Sequence, residues 1–501
     1  MSISFPRTQM RRLRNVTLSC LAVLFVTTSQ AHAANWLMLQ GVEHPKKPDQ
    51  YLFAFIQPTY FQNEGTNLSG LTDIVNPNNN AVIVPFSGNN GEDATANTVP
   101  PRFNEKRRLD IQRARIGSRG RFTGGFENAL TKKMNYFVLF ETAPNLLTYD
   151  AFGQRDRPIA LDHASLTFNH IPGARIRLGL FKNPTSEELF QGIATFNYIQ
   201  FTDFSARENL ERFFEGGAQP AGSPGSPALG APQSESYGFS AVRDWGVQVF
   251  DSFKRGKWDL SYAVKVGRGE AISRSESTHD GAELYLYGSA EYNLPGGRGP
   301  RKNGVKFFAW HQSGEREFET DATDEDYDRE RYGVGMQALG KFFGLKYKQR
   351  FGIELMGAEG MLFLGPSGGV ANGAVNNGAV QIAADDDNKS RAITIDYGFY
   401  LNKKWQFDIR YDRHELLYSR ASNINPGNER EFENWTLGAT YHFTPKRRLT
   451  FNYTFRDVDT PNDYASTGFV PGFVANGLTR NVDRIANSID DRLALQLTWI
   501  F

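Results

Sequence analysis

The chain has 501 residues, with 56 Lys and Arg against 55 Asp and Glu, a single cysteine, 39 Phe, 20 Tyr and 48 Gly. Near-neutral charge leaves no electrostatic footprint for a nucleic-acid partner, and one cysteine excludes a disulfide framework. Beyond residue 33 no apolar run approaches the 18 or more residues of a membrane-spanning helix.

Residues 1–33 read as a secretory signal peptide. Arg7, Arg11, Arg12 and Arg14 form a basic head, Val16 to Thr28 a short apolar run, and Ala31-His32-Ala33 a small-x-small cleavage site. Cys20 lies within this segment, so the mature chain carries no thiolate and no haem-attachment cysteine, and no cofactor is expected. Removing four arginines leaves 52 basic and 55 acidic residues. Residues 34–50 are expected to form an N-terminal periplasmic segment, and 51–501 the folded body.

Alternation of apolar and polar residues dominates that body. Trp258, Leu260, Tyr262, Val264 and Val266 oppose Asp259, Ser261, Ala263 and Lys265. Trp405, Phe407, Ile409 and Tyr411 oppose Gln406, Asp408, Arg410 and Asp412. The same period recurs from Leu449 to Arg456 and from Arg492 to the terminal Phe501. A period of two is that of strands with one apolar face, and its aromatic richness fits the interface girdles of a membrane barrel.

The pattern predicts an all-β fold, a transmembrane antiparallel β-barrel. About 16 strands begin near residues 51, 108, 132, 158, 174, 242, 257, 281, 303, 330, 347, 390, 404, 432, 448 and 489. Short connections such as Lys254-Arg255-Gly256, Asn402-Lys403-Lys404 and Thr444-Pro445-Lys446-Arg447 read as periplasmic turns. Long ones (62–106, 183–242, 365–390 and 457–488) read as extracellular loops. The glycines 333, 335, 340 and 344 blur the turn between the strands near 330 and 347. A barrel of this size leaves an aqueous channel.

One strand carries an unusual row. In "IQRARIGSRGRF" (111–122), Arg113, Arg115, Arg119 and Arg121 share one parity, and Ala114, Ile116 and Phe122 share the other. Arginine facing lipid at the midplane would cost about 2–4 kcal/mol, so the row is expected to face the lumen. Arg175 and Arg177 form a second, shorter row. Neighbouring cations on one strand face stand ~7 Å apart and repel by roughly 2 kcal/mol at an effective dielectric of ~20. The rows therefore need counter-charge, either wall carboxylates such as Glu141, Asp259, Asp396, Asp408 and Asp412, or passing anions.

The stretch from Gln112 to Gly117 resembles the arginine-containing strand of the phosphate-selective porin O/P family. "LGLFKNPTSEE" (178–188) and "RDWGVQVFDSF" with "KWDLSYAVKVGRG" (243–269) resemble further passages of that family. The resemblance covers about residues 108–267. It implies a trimeric 16-strand porin whose arginine ladder guides anions and whose third loop, here 183–242, folds inward as a constriction. Lys182, Arg207 and Arg212 are then constriction candidates. Outer-membrane lipid, lipopolysaccharide and small anionic solutes are the implied partners, in the outer membrane of a Gram-negative bacterium.

No catalytic motif is present: neither a G-x-S-x-G elbow nor an H-E-x-x-H pair occurs. Asp324, Asp326 and Asp328 alternate as in a calcium loop, but Arg329 stands where such a loop needs glycine. The expected function is non-enzymatic, the passive diffusion of small hydrophilic solutes with anions preferred. Two other readings stay open on the sequence: the barrel sleeve of a multihaem cytochrome electron conduit, and a structural or adhesive surface barrel.

Overall fold

The computed structural model describes residues 35–42 (except 40), 50–84 (except 66), 87–91, 107–122, 131–143, 158–209, 219–220, 242–269, 282–296, 302–317, 326–366, 380–383, 388–419, 429–459 and 472–501. Sixteen strands close into one barrel, each pairing antiparallel with its neighbours along the chain. They are β1 (Gln50–Gly65), β2 (Arg107–Arg121), β3 (Met134–Glu141), β4 (Ala160–Phe168), β5 (Arg175–Lys182), β6 (Arg243–Arg255), β7 (Trp258–Gly267) and β8 (Glu283–Asn293). The circuit continues through β9 (Gly304–Glu317), β10 (Asp326–Gly340), β11 (Lys348–Gly360), β12 (Lys389–Tyr400), β13 (Trp405–Ser419), β14 (Arg430–Thr444), β15 (Arg447–Asp459) and β16 (Ile489–Ile500). β16 returns to β1 in the register Phe55↔Ile500 and Tyr60↔Leu495, so the barrel itself has no edge strand.

The number and order of strands agree with the alternation pattern, including the pair blurred by glycines. Gly333 and Gly335 sit inside β10 because aromatic side chains of β9 lie over them. A β-carbon at Gly335 would stand 2.4 Å from the Phe308 ring, and one at Gly333 2.6 Å from Trp310 Nε1. The turn is 341–347. Asp326 and Asp328, considered above as part of a calcium loop, belong to the start of β10.

The strand parities separate a polar interior from an apolar exterior. On β13, Trp405 and Ile409 are exposed, while Gln406, Asp408, Arg410 and Asp412 are buried inside the barrel. At the turn end, Trp405, Tyr441 and Phe443 form a chain of rings with centroids 4.8 and 5.0 Å apart, and Trp499 stacks on Phe501. Towards the loops, Tyr411 meets Trp435 at 4.7 Å and Tyr453 meets Phe455 at 4.9 Å. Beyond that upper girdle the outer face turns ionic, with Arg413 bonded to Glu415 and Glu431. A closed barrel whose apolar belt runs between two aromatic girdles is an outer-membrane protein.

Two irregularities set the interior. Gln57 pairs with Arg113 but Pro58 pairs with Ile111, so Gln112 is an extra residue in β2. Pro58 has no N–H to give the ladder, which is where a bulge costs least. Loopward of the bulge Leu109 and Ile111 face out, turnward Ile116 and Phe122 do, and Gln112 and Arg113 are both buried. In β5, Gly179 has φ +118°, and a β-carbon there would lie 2.2 Å from the Ala164 carbonyl oxygen. Gly179→Ala is expected to destabilise the barrel by about 1–3 kcal/mol, measured as a lower midpoint of heat-modifiable gel mobility.

The extracellular side carries structure of its own. The connection after β15 contains a helix, Gly472–Ala486, absent from the strand-based reading. Its buried Val474, Leu478, Val482 and Ile485 belong to one apolar cluster with Leu68, Leu71 and Ile74 of the first loop. Asn481 clamps the pair, accepting from Thr72 N at 3.2 Å and donating to Thr72 O at 2.9 Å. The periodicity 474, 478, 482, 485 is helical and was legible in the sequence.

Candidate functional site

The candidate site is the barrel lumen, and the arginine rows are its most ordered feature. Arg115 Nε donates to Glu141 at 2.7 Å and its Nη1 to Asp162 at 3.0 Å. Arg243, across the wall, shares Asp162 at 2.9 Å. Arg113 donates to Gln57 and Gln112, both at 3.2 Å, and its guanidinium stands 5.8 Å from the Phe201 ring. Arg175 is paired with Asp251. Arg177 donates to Thr167 Oγ1 and lies over the rings of Phe181 and Phe250. Arg121, at the turn end of its row, is half-buried. Counter-charge for Arg115 and Arg175 thus comes from the wall, and aromatic faces supply part of it for Arg119 and Arg177.

The expected periplasmic segment does not stand clear of the barrel. Its described residues enter the turn-side mouth as one helical turn, Trp36–Leu39, with Trp36 and Leu37 buried. Asn35 Nδ2 donates to Ser261 Oγ at 2.7 Å and Ser252 Oγ at 3.2 Å, inward residues of β7 and β6. Arg119 Nη2 donates to the Leu39 carbonyl at 2.9 Å while its guanidinium lies 5.4 Å from the rings of Tyr51 and Phe137. Arg175 Nη1 reaches Met38 Sδ at 3.9 Å. Arginines of both rows therefore clasp the N-terminal segment.

From the other side the described part of the third loop, 183–209, folds inward. Lys182 ends β5 and donates Nζ to the carbonyls of Leu189 and Gln191, at 2.6 and 2.5 Å, fixing the loop's first turn. That turn, Glu187–Phe190, is capped by Ser186. Glu187 is buried and bonds Lys306 at 2.6 Å and Tyr287 at 2.5 Å, and Ser186 donates to Glu354 on β11 at 3.1 Å. The loop then crosses to β13–β15: Arg448 donates to Phe196 O, and Ile199 N donates to Asn452 Oδ1 at 2.8 Å. Arg207, buried in the loop, sits 4.2 Å from the Phe432 ring and 3.9 Å from Asp203. Arg212 lies outside the described residues. Loop and N-terminal segment meet where Trp36 packs on Gly192, whose added β-carbon would stand 3.3 Å from the indole.

The inserted loop divides the lumen. On its turn side lies a cavity lined among others by Glu354, Asp396 and Gln337. On its extracellular side lies another, lined among others by Phe201, Asp412 and Arg456. Arg410 lines both. Its Nη1 donates to Glu188 Oε1 at 3.0 Å and to Gln200 O at 3.1 Å, and its guanidinium lies 4.4 Å from the Tyr198 ring. Burial pushes the Tyr198 phenol well above its ordinary pKa, so it stays neutral beside Arg350 and Arg410.

Of the nine residues singled out in the sequence, the structure describes eight. Arg113, Arg115, Arg119, Arg175 and Arg177 point into the barrel. Lys182 and Arg207 anchor and fill the loop rather than standing free in a passage. Arg350, Arg410, Arg456 and Arg492 were not singled out. Alternation opposite Trp405 and Ile409 placed Arg410 on the lumen face, but its contact with Glu188, 222 residues away, has no local signature.

No protein-family model matches the chain, and no curated protein matches it in sequence. Solved structures resemble its coordinates. The outer membrane channel DcaP of Acinetobacter baumannii is 12% identical with a TM-score of 0.44, over 92% of this chain and 99% of that one. The anion-selective porin from Comamonas acidovorans is 12% identical with a TM-score of 0.47, over 90% and 99%. OmpF of Salmonella typhi, in complex with daunomycin, is 13% identical with a TM-score of 0.48, over 90% and 97%. Similarity at this level says nothing about the solute.

Proposed function

We propose that this chain is an outer-membrane porin for passive diffusion of small hydrophilic solutes, preferring anions, with oxyanions such as phosphate among them. The observation that carries the reading is the position of Arg410, on the seam between an extracellular and a turn-side cavity. A solute crossing the barrel passes this guanidinium, whose positive potential in a narrow low-dielectric passage raises the local anion concentration. Its partners Glu188 and Asp412 temper that field, so an anion is attracted without being trapped. Among the described residues, buried Lys and Arg outnumber buried Asp and Glu. The family resemblance adds a homotrimer embedded in lipid and lipopolysaccharide, and a signal peptide at residues 1–33.

The electron-conduit reading is less well supported. A sleeve for a multihaem protein needs a wide lumen, whereas here the third loop and Trp36–Leu39 fill it. Planar-bilayer reversal potentials in a KCl gradient test the proposal. The native protein is expected to be anion-selective, and Arg410→Ala to lower its chloride-over-potassium preference about threefold. A cation-selective channel, with a reversal potential unmoved by Arg410→Ala, would overturn it.

A further inference from the structure

The turn between β10 and β11, residues 341–347, goes against the residue preference of its own geometry. Phe343 and Gly344 both have positive φ, +55° and +69°, and Leu345 N donates to Phe342 O at 3.1 Å, so the two are the central residues of a type I′ turn. The first of those positions favours Asn, Asp or Gly, because a bulky side chain there crowds the backbone. Such strain persists only where another interaction offsets it. Packing within the chain supplies little: Phe343 is 91% exposed, with its ring 6.4 Å from that of the adjacent Phe342, and Leu345 is 49% exposed.

The turn lies on the lipid side of the wall. Gly340 and Gln349 pair at the ends of β10 and β11 with the outward parity of the exposed Val334 and Leu355. Both are nevertheless buried, because the turn folds back over them. A β-carbon on Gly340 would stand 3.0 Å from the Phe342 ring, and Gln349 Nε2 donates to Phe342 O at 3.3 Å. Tyr347 then joins the turn-side girdle. Its ring lies 6.4 Å from that of Phe399, which lies 5.5 Å from Phe407, which in turn stacks on Trp405. The exposed Lys341 and Lys346 flank the apolar pair, with Lys346 Nζ 5.0 Å from the Tyr347 ring. The other short turns carry Lys257, Lys403, Lys404 and Lys446, and among the described turn residues there is no carboxylate.

We propose that turn 341–347 docks an anionic phospholipid of the periplasmic leaflet, with Lys341 and Lys346 on its phosphate and Phe343 and Leu345 among its acyl chains. The occupant follows from the surroundings. The turn is continuous with the membrane-facing girdle, so lipid lies beside it. Apolar side chains flanked by two lysines at that depth match hydrocarbon on one side and headgroups on the other. Cations at a membrane surface favour anionic over zwitterionic lipid. Burial of Phe343 in the acyl region offsets the strain of its backbone, whereas Asn at that position would relieve the strain and lose the contact. The inference goes beyond solute passage and needs only the barrel's place in the outer membrane.

Quencher-lipid fluorescence on the folded full-length barrel tests the site. Cys20 is the only cysteine, so a chain with Cys20→Ser and Leu345→Cys offers one thiol for a polarity-sensitive fluorophore. The labelled chain is reconstituted in vesicles of phosphatidylcholine and phosphatidylglycerol mixed at roughly 4:1, with a quencher on one lipid or the other. Quenching by phosphatidylglycerol is expected to exceed that by phosphatidylcholine about threefold at equal mole fraction. Lys341→Gln together with Lys346→Gln should bring that ratio close to one. Phe343→Asn should lower quenching by both lipids about twofold, while the variant folds in detergent at least as stably as the labelled parent, by heat-modifiable mobility. Equal quenching by the two lipids in the labelled parent, or none by either, would overturn the proposal. So would a Phe343→Asn chain less stable in detergent, since the ring would then serve packing within the protein.

Discussion

A variant lacking residues 35–42 is expected to conduct roughly twofold more current per channel than the native protein, with the barrel still folded. The segment occupies the turn-side mouth through polar contacts to the wall and buried apolar contacts to the third loop. Asn35 bonds two inward serines, Leu39 O accepts from Arg119, and Trp36 packs on Gly192. None of these contacts completes the β-ladder, which closes through β1 and β16 alone. Deletion therefore removes material from the passage without removing a strand. It also releases Arg119 from a backbone carbonyl into water, so the wider channel should be more anion-selective. Trp36→Ala should give an intermediate conductance. Unchanged single-channel conductance in a folded deletion variant would show that the segment does not limit flow.

Replacing Arg350 by methionine is expected to cost about 3–5 kcal/mol of barrel stability, because it strands two carboxylates in the wall. Arg350 is fully buried on β11 and bonds Asp396 at 2.6 Å and Asp408 at 3.0 Å. It also donates to the Tyr198 phenol at 3.3 Å, so it ties the third loop to the wall. The methionine fills comparable volume but supplies no donor, leaving Asp408 with Gln406 as its nearest donor. Denaturant unfolding in detergent micelles measures the loss. Adding Asp408→Asn to Arg350→Met should recover a large part of it, because the second change removes the uncompensated charge. A single variant as stable as the native chain would show that the pair is not coupled to folding. Channel recordings on the same variant should show noisier open states, since the Tyr198 anchor is lost.

The arginine row shows how far sequence reasoning reaches. Its parity correctly predicted a strand, and the cost of arginine in lipid predicted an inward face. What the arginines touch was not legible. Glu141 was among the wall carboxylates considered, but Asp162, the second partner of Arg115, lies beyond the connection from β3 to β4 and becomes a neighbour only through strand pairing. Residues 34–50 read as an N-terminal periplasmic segment, and nothing in "NWLMLQG" signals the contacts that Trp36 and Leu39 make inside the barrel mouth. The helix 472–486, by contrast, carries a local signal in the spacing of Val474, Leu478, Val482 and Ile485.

What the sequence determined by itself was the membrane scaffold. A strand repeats its side-chain direction every two residues, and a bilayer tolerates apolar groups on one side only, so alternation alone specifies which residues face lipid and how many strands close the barrel. The tertiary structure decided what stands in the way of a solute. That depends on where two non-barrel segments come to rest inside the lumen. Their positions follow from contacts such as Arg410 with Glu188, Arg119 with Leu39 and Arg448 with Phe196, made between residues 80 to more than 200 positions apart. Such pairings have no period and no local composition, because they are selected by the geometry of the closed barrel.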